Sequence, residues 1–228
     1  MTTRQWVLDR LWNGADPIAA FPRRVYGVDH QGWNSDHGYL AEAVDAVRPR
    51  IVVEVGVWKG GSASMMAARM KELALDGVVV AIDTWLGASD HWLNPSFHQE
   101  LRFREGYPSL YHCFLANMLD KGLEDYIVPL PLDSINALVV LKERGITLDV
   151  LHIDAGHDYR SVTNDLHAWW PLLRPGGVLI GDDYHRDRAH WPEVAAAVDD
   201  FFAETPHEGF RADWGKCYVR KPAAGTAS

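Results

Sequence analysis

Cysteine is scarce in this chain, and other features that would mark a specialised class of protein are lacking. Only Cys113 and Cys217 occur in 228 residues, so nothing indicates a disulfide scaffold. No apolar run approaches the roughly 20 residues that span a bilayer. Charges flank the short apolar patches at the N-terminus, a pattern unlike that of a signal peptide. We therefore expect a reduced, cytoplasmic protein without a membrane partner.

Positive charge is also in short supply. The 31 Asp and Glu residues outnumber the 22 Lys and Arg residues, giving a formal net charge of −9. The basic residues lie in short groups such as Arg23-Arg24 and Arg186 to Arg188, never in a long run. Because neutralising phosphates supplies much of the affinity for nucleic acids, a nucleic-acid partner is not expected. A small-molecule partner is the simpler expectation.

What the chain does contain is an alternation of short apolar strands and amphipathic helices, which predicts a single α/β domain. Continuous β-branched runs bounded by polar turns are typical of a parallel sheet with helices on both faces. The predicted strands are 51–55, 78–83, 126–129, 148–154 and 178–182. The predicted helices between them are 62–75, 134–144, 159–173 and 192–202, and a terminal hairpin is predicted at 210–214 and 217–220.

Three further segments complete the predicted organisation. Residues 1–48 form a helical N-terminal segment, with helices around 5–12 and 35–47, and residues 49–221 form the main domain. The long connection 86–120 is rich in aromatic residues and is either a substrate lid or a packed extra helix without ligand contact. The small-residue tail 222–228 is expected to be disordered.

Polar residues at the strand ends indicate a ligand site, since open α/β sheets bind ligands beyond the carboxyl ends of their strands. The first such turn runs from Glu54 through Gly56, Lys59 and Gly60 to Ser62. Its Gly-x-x-x-Gly-Gly spacing follows an acid that would repel a pyrophosphate but accept a ligand with an ammonium and a sulfonium. We therefore favour S-adenosylmethionine over a dinucleotide, although such turns also occur with a purely structural role.

The next two strand ends carry candidates for the nucleoside part of that ligand. Asp83 can accept both ribose hydroxyls, or it can cap the following helix. Asp133 and Ser134 can contact an adenine, although either could instead cap the helix that starts at Ile135.

Three carboxylates follow the last two parallel strands: Asp154 after one, Asp182 and Asp183 after the other. If these strands are neighbours, their ends lie roughly 5 Å apart. Unpaired carboxylates at that distance raise one another's pKa, so a divalent cation, Mg²⁺ in particular, is a sensible companion. In the alternative, Asp182 or Asp183 caps backbone groups and Asp154 holds the cofactor.

His157 lies on the loop that leaves the strand ending at Asp154. A histidine beside several carboxylates would have a pKa near neutrality, which suits a general base. It could also orient the substrate or replace one carboxylate as a metal ligand. His157 and Asp154 are the predicted catalytic residues.

These motifs resemble those of class I S-adenosylmethionine-dependent methyltransferases. The loop from Glu54 to Ser62 matches the family's acid-x-Gly-x-x-x-Gly-x-Ser pattern, and Asp83-Thr84-Trp85 resembles the ribose-binding strand end of the sugar methyltransferases. Within the class, the chain is similar to metal-dependent small-molecule O-methyltransferases related to the catechol, macrocin-sugar and cephalosporin-pathway enzymes. The resemblance covers about residues 35–220.

The resemblance has four implications. It implies a Rossmann-like, seven-stranded, mostly parallel sheet in the order 3-2-1-4-5-7-6, with the last strand antiparallel. It adds Trp85 to the donor-binding residues, places magnesium at Asp154, Asp182 and Asp183, and makes a homo-oligomer a fair expectation. One departure is His157, which stands where the catechol enzymes carry a lysine base and the cephalosporin-pathway relatives a histidine.

The sequence thus predicts O-methylation of a hydroxyl or carboxylate on a small molecule. An NAD-dependent oxidoreductase is one alternative, since it would share the sheet and Asp83. Such enzymes carry a Gly-x-Gly-x-x-Gly spacing, however, and this chain lacks it. A non-catalytic adenosyl-binding module is the other alternative.

Overall fold

The computed structural model describes residues 1–23 and 25–225. Within them, seven strands form one sheet in the order β3-β2-β1-β4-β5-β7-β6. The strands are β1 Ile51–Val55, β2 Val78–Ile82, β3 Ile127–Leu130, β4 Leu148–Ile153, β5 Leu173–Gly181, β6 Glu208–Asp213 and β7 Lys216–Arg220. The first five are parallel, and β7 runs antiparallel to both β5 and β6. The strand order that the resemblance implied and the terminal hairpin that the sequence pattern predicted are confirmed.

The register of the sheet brings the predicted site residues to one edge. Val55 at the end of β1 lies opposite both Ile82 of β2 and Ile153 of β4, and Ile153 lies opposite Gly181 of β5. The residues that follow these strand ends therefore face one crevice. Every residue of β1 and β2 is buried, because helices cover both faces of the sheet.

Nine α-helices complete the described structure. They are α1 Thr3–Leu11, α2 Gly38–Val47, α3 Gly61–Glu72, α4 Ser89–Leu93, α5 Pro95–His98, α6 Leu110–Asp120, α7 Ser134–Glu143, α8 Tyr159–Trp169 and α9 Pro192–Glu204. The sheet separates two apolar clusters, one holding α1, α7, α8 and α9, the other holding α2, α3 and α6. No helix among the described residues is long and apolar enough to cross a membrane.

The connection 86–120, expected to be either a substrate lid or a packed extra helix, contains two short helices beside the crevice and one longer helix in the core. Helices α4 and α5 are short, have no buried residues, and contribute side chains to the lining of the crevice. Helix α6 instead buries eight of its eleven residues and belongs to the core beside α3. Its apolar composition, rather than any ligand contact, explains why it packs there.

The N-terminal segment also takes part in the main domain. Val7 and Leu8 of α1 are buried in the cluster with β3, and Leu40 and Val44 of α2 pack with α3. The extended stretch between these helices reaches the crevice, as described below. Of the tail predicted to be disordered, residues 226–228 lie outside the described part, and residues 222–225 form neither helix nor strand.

Candidate active site

A cavity of about 540 Å³ opens at the carboxyl ends of β1, β2, β4 and β5. This volume is within the usual range for a small-molecule site. The predicted site residues that line it are Gly56, Ser62, Asp83, Asp133, Ser134, Asp154, His157, Asp182 and Asp183. The chain therefore gathers most of the predicted site in one crevice.

Gly56 forms the sharp turn after β1. Its φ is +85°, and a Cβ at this position would lie 1.8 Å from the carbonyl oxygen of Asp154. Only glycine fits this close approach between two strand ends. The turn thus holds the ends of β1 and β4 together at the floor of the cavity.

Asp83 organises the same turn. Its Oδ2 accepts hydrogen bonds from the backbone N–H groups of Val57 at 2.8 Å and Trp58 at 2.9 Å, and its Oδ1 accepts one from Trp85 at 2.7 Å. A carboxylate offers about four acceptor positions, so Oδ1 keeps capacity for one further donor. Asp83 is therefore a loop-holding residue that can also contact a ligand, rather than a free bidentate acceptor.

Glu54 is fully buried behind the cavity. Its Oε1 accepts from the Ser62 hydroxyl and, at 3.1 Å, from Nδ1 of His152. Its Oε2 is buried without a hydrogen-bond partner among the described residues. An unsatisfied buried acceptor of this kind is costly, so it marks a place that a cationic or donor group of a ligand would satisfy.

Besides Glu54, three predicted donor-binding residues do not line the cavity. The Lys59 ammonium is fully buried and contacts Asp29 at 2.7 Å and Glu100 at 2.6 Å, so it ties the cofactor loop to two neighbouring segments. Gly60 faces the core, where a Cβ would lie 2.7 Å from atoms of Met118 and Phe114. The structure therefore does not bring either residue to the ligand, because the chain turns away into α3 at this point.

The third is Trp85. It is 1% exposed and packs against Tyr111 and Phe114 of α6, with ring centroids 4.9 Å apart in both pairs. Its Nε1 donates to the carbonyl oxygen of Trp58 at 2.9 Å. Trp85 thus supports the cofactor loop from beneath and does not face the cavity.

Asp133 and Ser134 line the cavity and also have structural partners. Asp133 caps α7 by accepting from the N–H groups of Ile135 and Asn136, as the structural alternative proposed. The Ser134 hydroxyl donates to Asp165 of α8 at 2.5 Å and accepts from Nε1 of Trp169 at 2.8 Å. Burial raises the pKa of Asp165 to about 6, against the opposing effect of the Ser134 hydrogen bond.

The three predicted metal carboxylates lie just beyond the carboxyl ends of β4 and β5, a position that we call the mouth of β4 and β5. Oxygens of Asp154 and Asp183 and a nitrogen of His157 lie within 4.8 Å of one another. Burial and then the charge of Asp182 raise the pKa of Asp154. Asp183 has a φ of +56°, an unusual conformation for a residue other than glycine, which turns its side chain toward His157.

Asp182 has an additional partner that the sequence analysis missed. The fully buried ammonium of Lys216 forms an ion pair with its Oδ2, and the N–H of Asp183 donates to its Oδ1 at 2.9 Å. Burial opposes ionisation, but the Lys216 charge holds the pKa of Asp182 below its ordinary value. Asp182 is therefore ionised and already neutralised.

His157 is held between two carboxylates and a tryptophan. Its Nε2 lies 3.0 Å from Oδ2 of Asp183, its Nδ1 lies 3.8 Å from Oδ2 of Asp90, and its ring stacks on Trp191 with centroids 4.1 Å apart. Burial lowers the pKa of His157, but the hydrogen bond and charge of Asp183, with a smaller contribution from Asp90, raise it above its ordinary value. With Nε2–H donating to Asp183, a neutral ring carries its lone pair on Nδ1.

An aromatic wall closes the side of the cavity opposite the strand ends. Trp58 stacks on His91 of α4 with centroids 4.5 Å apart, and Trp33 contacts both Trp58 at 5.5 Å and Phe97 at 5.8 Å. Trp33 belongs to the stretch before α2, and its contribution was not predicted. No periodicity in residues 29–35 signals it, since only the fold carries that stretch across the crevice.

The charge of the cavity is one-sided. Its charged lining residues, within the part of the chain that the structure describes, include no Lys or Arg. Six carboxylates line it instead: Asp83, Asp90, Asp133, Asp154, Asp182 and Asp183. Such a cavity repels phosphates and carboxylates and attracts cations.

The sheet order, the glycine turn after β1 and the acid after β2 together define a class I methyltransferase, which confirms the resemblance inferred from the sequence. The chain belongs to the methyltransferase domain family, whose profile matches residues 53–184. Among solved structures, it is similar to the O-methyltransferase NovP, with 25% identity, a TM-score of 0.61, and 80% of this chain and 78% of that chain covered.

The chain is also similar to two further proteins. An O-methyltransferase from Bacillus cereus, solved in complex with SAH, shares the fold with 18% identity, a TM-score of 0.59, and coverage of 96% of this chain and 98% of that one. The uncharacterized protein y4gI of Sinorhizobium fredii is 26% identical over 196 residues, which are 82% of this chain. The chain spans only 20% of that relative's length.

Proposed function

We propose that this chain is an S-adenosylmethionine-dependent O-methyltransferase whose acceptor is a hydroxyl group of a small molecule. The observation that carries the proposal is the cavity at the strand ends, lined by six carboxylates and an aromatic wall but by no described Lys or Arg. The membership of the methyltransferase domain family and the likeness to NovP support it.

The donor site is proposed at Glu54, Gly56, Ser62, Asp83 and the Asp133-Ser134 turn. The remaining capacity of Asp83 Oδ1 suits a ribose hydroxyl, and the unpaired Glu54 Oε2 suits an ammonium. When bound, S-adenosylmethionine supplies an electrophilic methyl group on a sulfonium, whose positive charge matches the acidic cavity. Asp154, at the floor between donor and acceptor, would help to hold both.

The acceptor site is proposed at the aromatic wall of Trp33, Trp58 and Phe97. Flat rings in edge and tilted contact favour a planar or amphipathic acceptor. A carboxylate acceptor, which the sequence left open beside a hydroxyl, is less favoured because it needs no general base, whereas His157 lines the cavity beside Asp183. The transfer is therefore assigned to a hydroxyl oxygen.

His157 is proposed as the general base. Asp183 accepts from its Nε2 and so leaves the Nδ1 lone pair available to take the hydroxyl proton. Stacking on Trp191 fixes the plane of the ring. Both contacts hold the imidazole in place, and the acceptor hydroxyl is proposed within reach of Nδ1.

A divalent cation, Mg²⁺ as the sequence predicted, is proposed at the mouth of β4 and β5. The donor set is suitable, because magnesium prefers one or two carboxylates with waters and substrate oxygens. Oδ1 of Asp183 accepts no hydrogen bond from the described residues, and oxygens of Asp154 and Asp183 lie within 4.8 Å of each other, close enough to share one cation. When bound, the cation would supply Lewis acidity toward the acceptor oxygen.

Neither alternative function suits this cavity as well. An NAD-dependent oxidoreductase needs to hold a pyrophosphate, which the carboxylates around the glycine turn would repel. A non-catalytic adenosyl-binding module would have no use for His157 oriented by Asp183.

Mass spectrometry of small molecules released from the purified protein is the direct test of the proposal. Recovery of S-adenosylmethionine or S-adenosylhomocysteine supports it, and binding of S-adenosylhomocysteine by calorimetry supports it if none is retained. Transfer of an isotope-labelled methyl group to phenolic and sugar alcohols then tests the acceptor. Binding of a nicotinamide dinucleotide without binding of S-adenosylhomocysteine would overturn the proposal.

A further inference from the structure

Lys216 stands at the start of β7 and is one of the largest fully buried side chains of the protein. The register of the antiparallel pair explains its position. Cys217 lies opposite Gly181, the last residue of β5, so the preceding Lys216 comes beside the residue that follows, Asp182. A lysine at this register position therefore lies beside the carboxyl end of β5.

The Lys216 ammonium has two neighbours there. It forms the ion pair with Oδ2 of Asp182, and it lies 3.4 Å from Nε2 of His152. Since Nδ1 of His152 lies 3.1 Å from Oε1 of Glu54, the ring donates from Nδ1 and accepts from Lys216 at Nε2. Nε2 of His152 also lies 3.9 Å from Oδ2 of Asp182, so the ring packs against the ion pair.

This arrangement already provides the inner carboxylate with a cation. Oδ2 of Asp182 contacts Lys216 and Oδ1 accepts from the N–H of Asp183, so the charge of this carboxylate is already balanced by the ammonium. The ammonium cannot turn to solvent, because its side chain is fully buried, and a buried charge without its partner is strongly destabilising. A metal ion on Asp182 would have to share this carboxylate with a fixed positive charge a few ångströms away.

We infer that Lys216 is an internal cation that withdraws Asp182 from the divalent-cation site, so that Asp154 and Asp183 are its two carboxylate ligands and Lys216 limits its affinity. This inference rests on the proposed function, since it concerns the cation proposed there. It changes the predicted ligand set from three carboxylates to two. It also gives a role to a buried lysine that neither binds the donor nor lines the cavity.

Loss of Lys216 is expected to raise the affinity for a divalent cation, whereas most substitutions of buried residues lower binding. Removing Lys216 should strengthen binding of a divalent cation, because Asp182 would become an unneutralised third ligand. Removing Lys216 and Asp182 together should leave the affinity nearly unchanged, because a pair that is not part of the site disappears. Improved binding cannot be explained by damage to the fold.

The experiment is a titration of the full chain with Mn²⁺, followed by electron paramagnetic resonance of the free ion, in the presence of S-adenosylhomocysteine. The variants are Lys216→Met, the double variant Lys216→Met with Asp182→Asn, and Asp183→Asn, whose asparagine tolerates the positive φ. Lys142→Met, an exposed lysine of α7, is the matched control. We expect about tenfold tighter binding for Lys216→Met and at least about tenfold weaker binding for Asp183→Asn, the scale typical of groups around a metal site.

Three results would overturn the inference. If the double variant binds Mn²⁺ as weakly as Asp183→Asn does, Asp182 is a ligand of the cation. If Lys216→Met binds Mn²⁺ with the affinity of the parent, Lys216 does not keep Asp182 away from the cation. If Lys216→Met does not fold, the double variant, which leaves no lone buried charge, still decides between the two ligand sets. Absence of Mn²⁺ binding in every variant also overturns it, and binding of S-adenosylhomocysteine in the same samples then shows that the donor site stands independently.

Discussion

Oδ2 of Asp83 lies 2.9 Å from the backbone nitrogen of Trp58 and accepts its N–H hydrogen bond. The same oxygen accepts from Val57, so one carboxylate at the end of β2 fixes the backbone that follows β1. Trp58 itself has a φ of +52°, a conformation that a non-glycine residue keeps only when its surroundings hold it. Asp83 therefore shapes the loop that follows β1, in addition to its proposed contact with the donor.

Asp83→Ala should weaken binding of S-adenosylhomocysteine at least about tenfold to a hundredfold. Hydrogen bonds to a charged acceptor contribute about 1.5–3 kcal/mol each, and 1.4 kcal/mol corresponds to a factor of ten. The variant loses the acceptor for the ribose and the bonds that hold the loop. Calorimetric titration measures the affinity. Asp125→Ala, an exposed aspartate before β3, is the control, and an unchanged affinity in Asp83→Ala would remove Asp83 from the site.

Most of the fold could be predicted from local signals in the chain. Strand β1 was predicted with its observed bounds, because a β-branched run between Arg50 and a glycine turn has no other interpretation. The other parallel strands were located to within a few residues, except that β5 begins at Leu173, ahead of the predicted 178. The sequence Arg174-Pro175-Gly176-Gly177 indicates a turn, yet in the structure it belongs to β5. At this point the pairing of β5 with β4 shows a register shift, between Leu148 and Val150.

The site was less predictable where it depends on the direction of a side chain. Lys59 was expected at the donor, but the left-handed Gly60 that follows it lies against α6 and the lysine turns toward Asp29. Lys216 gave no signal at all, since a lysine beginning an edge hairpin is ordinarily exposed. Only the pairing of β7 with β5, far apart in sequence, buries it beside Asp182.

Chelator treatment should suppress methyl transfer and affect donor binding much less. Most donor contacts are proposed at β1, β2 and the α7 turn, whereas the cation is proposed at Asp154 and Asp183, of which only Asp154 would also contact the donor. The measurement compares turnover with EDTA, then with excess Mg²⁺, alongside calorimetry with S-adenosylhomocysteine under both conditions. Turnover that is indifferent to chelator would leave these carboxylates to bind the acceptor directly.

Asp165 should make the protein less stable as pH rises from about 4 to about 6. Its pKa of about 6 in the folded state lies above the unfolded value of 3.8, so in this range the folded protein keeps a proton that the unfolded chain has lost. A difference of about 2 units corresponds to roughly 3 kcal/mol in the free energy of unfolding. Asp165→Asn, which can still accept from Ser134, should therefore be more stable than the parent at pH 7 but not at pH 4. Urea unfolding at both values, with Asp125→Asn as control, checks the sign.

The contact between His157 and Asp183 determines the pH dependence of the proposed reaction. Because the carboxylates raise the pKa of His157 above its ordinary value, the ring is protonated at acid pH and cannot act as a base there. Activity should therefore rise with pH through this pKa. Asp183→Asn should move the midpoint of the His157 titration to lower pH, which NMR of the metal-free protein can follow.

His157→Ala should lower kcat by about 10²- to 10⁴-fold, the usual contribution of a positioned general base. The donor site shares no hydrogen bond with His157, so affinity for S-adenosylhomocysteine should stay within about twofold of the parent, well below the tenfold that 1.4 kcal/mol represents. Raising the pH should partly restore turnover in the variant, because hydroxide ionises the acceptor hydroxyl without help from the protein. His167→Ala, an exposed histidine of α8, serves as the control for loss of an imidazole. If His157→Ala keeps nearly full turnover at neutral pH, the stacked ring is only part of the cavity wall, and the proton must be taken by another group at the mouth, with His185 and Asp158 as the next variants to measure.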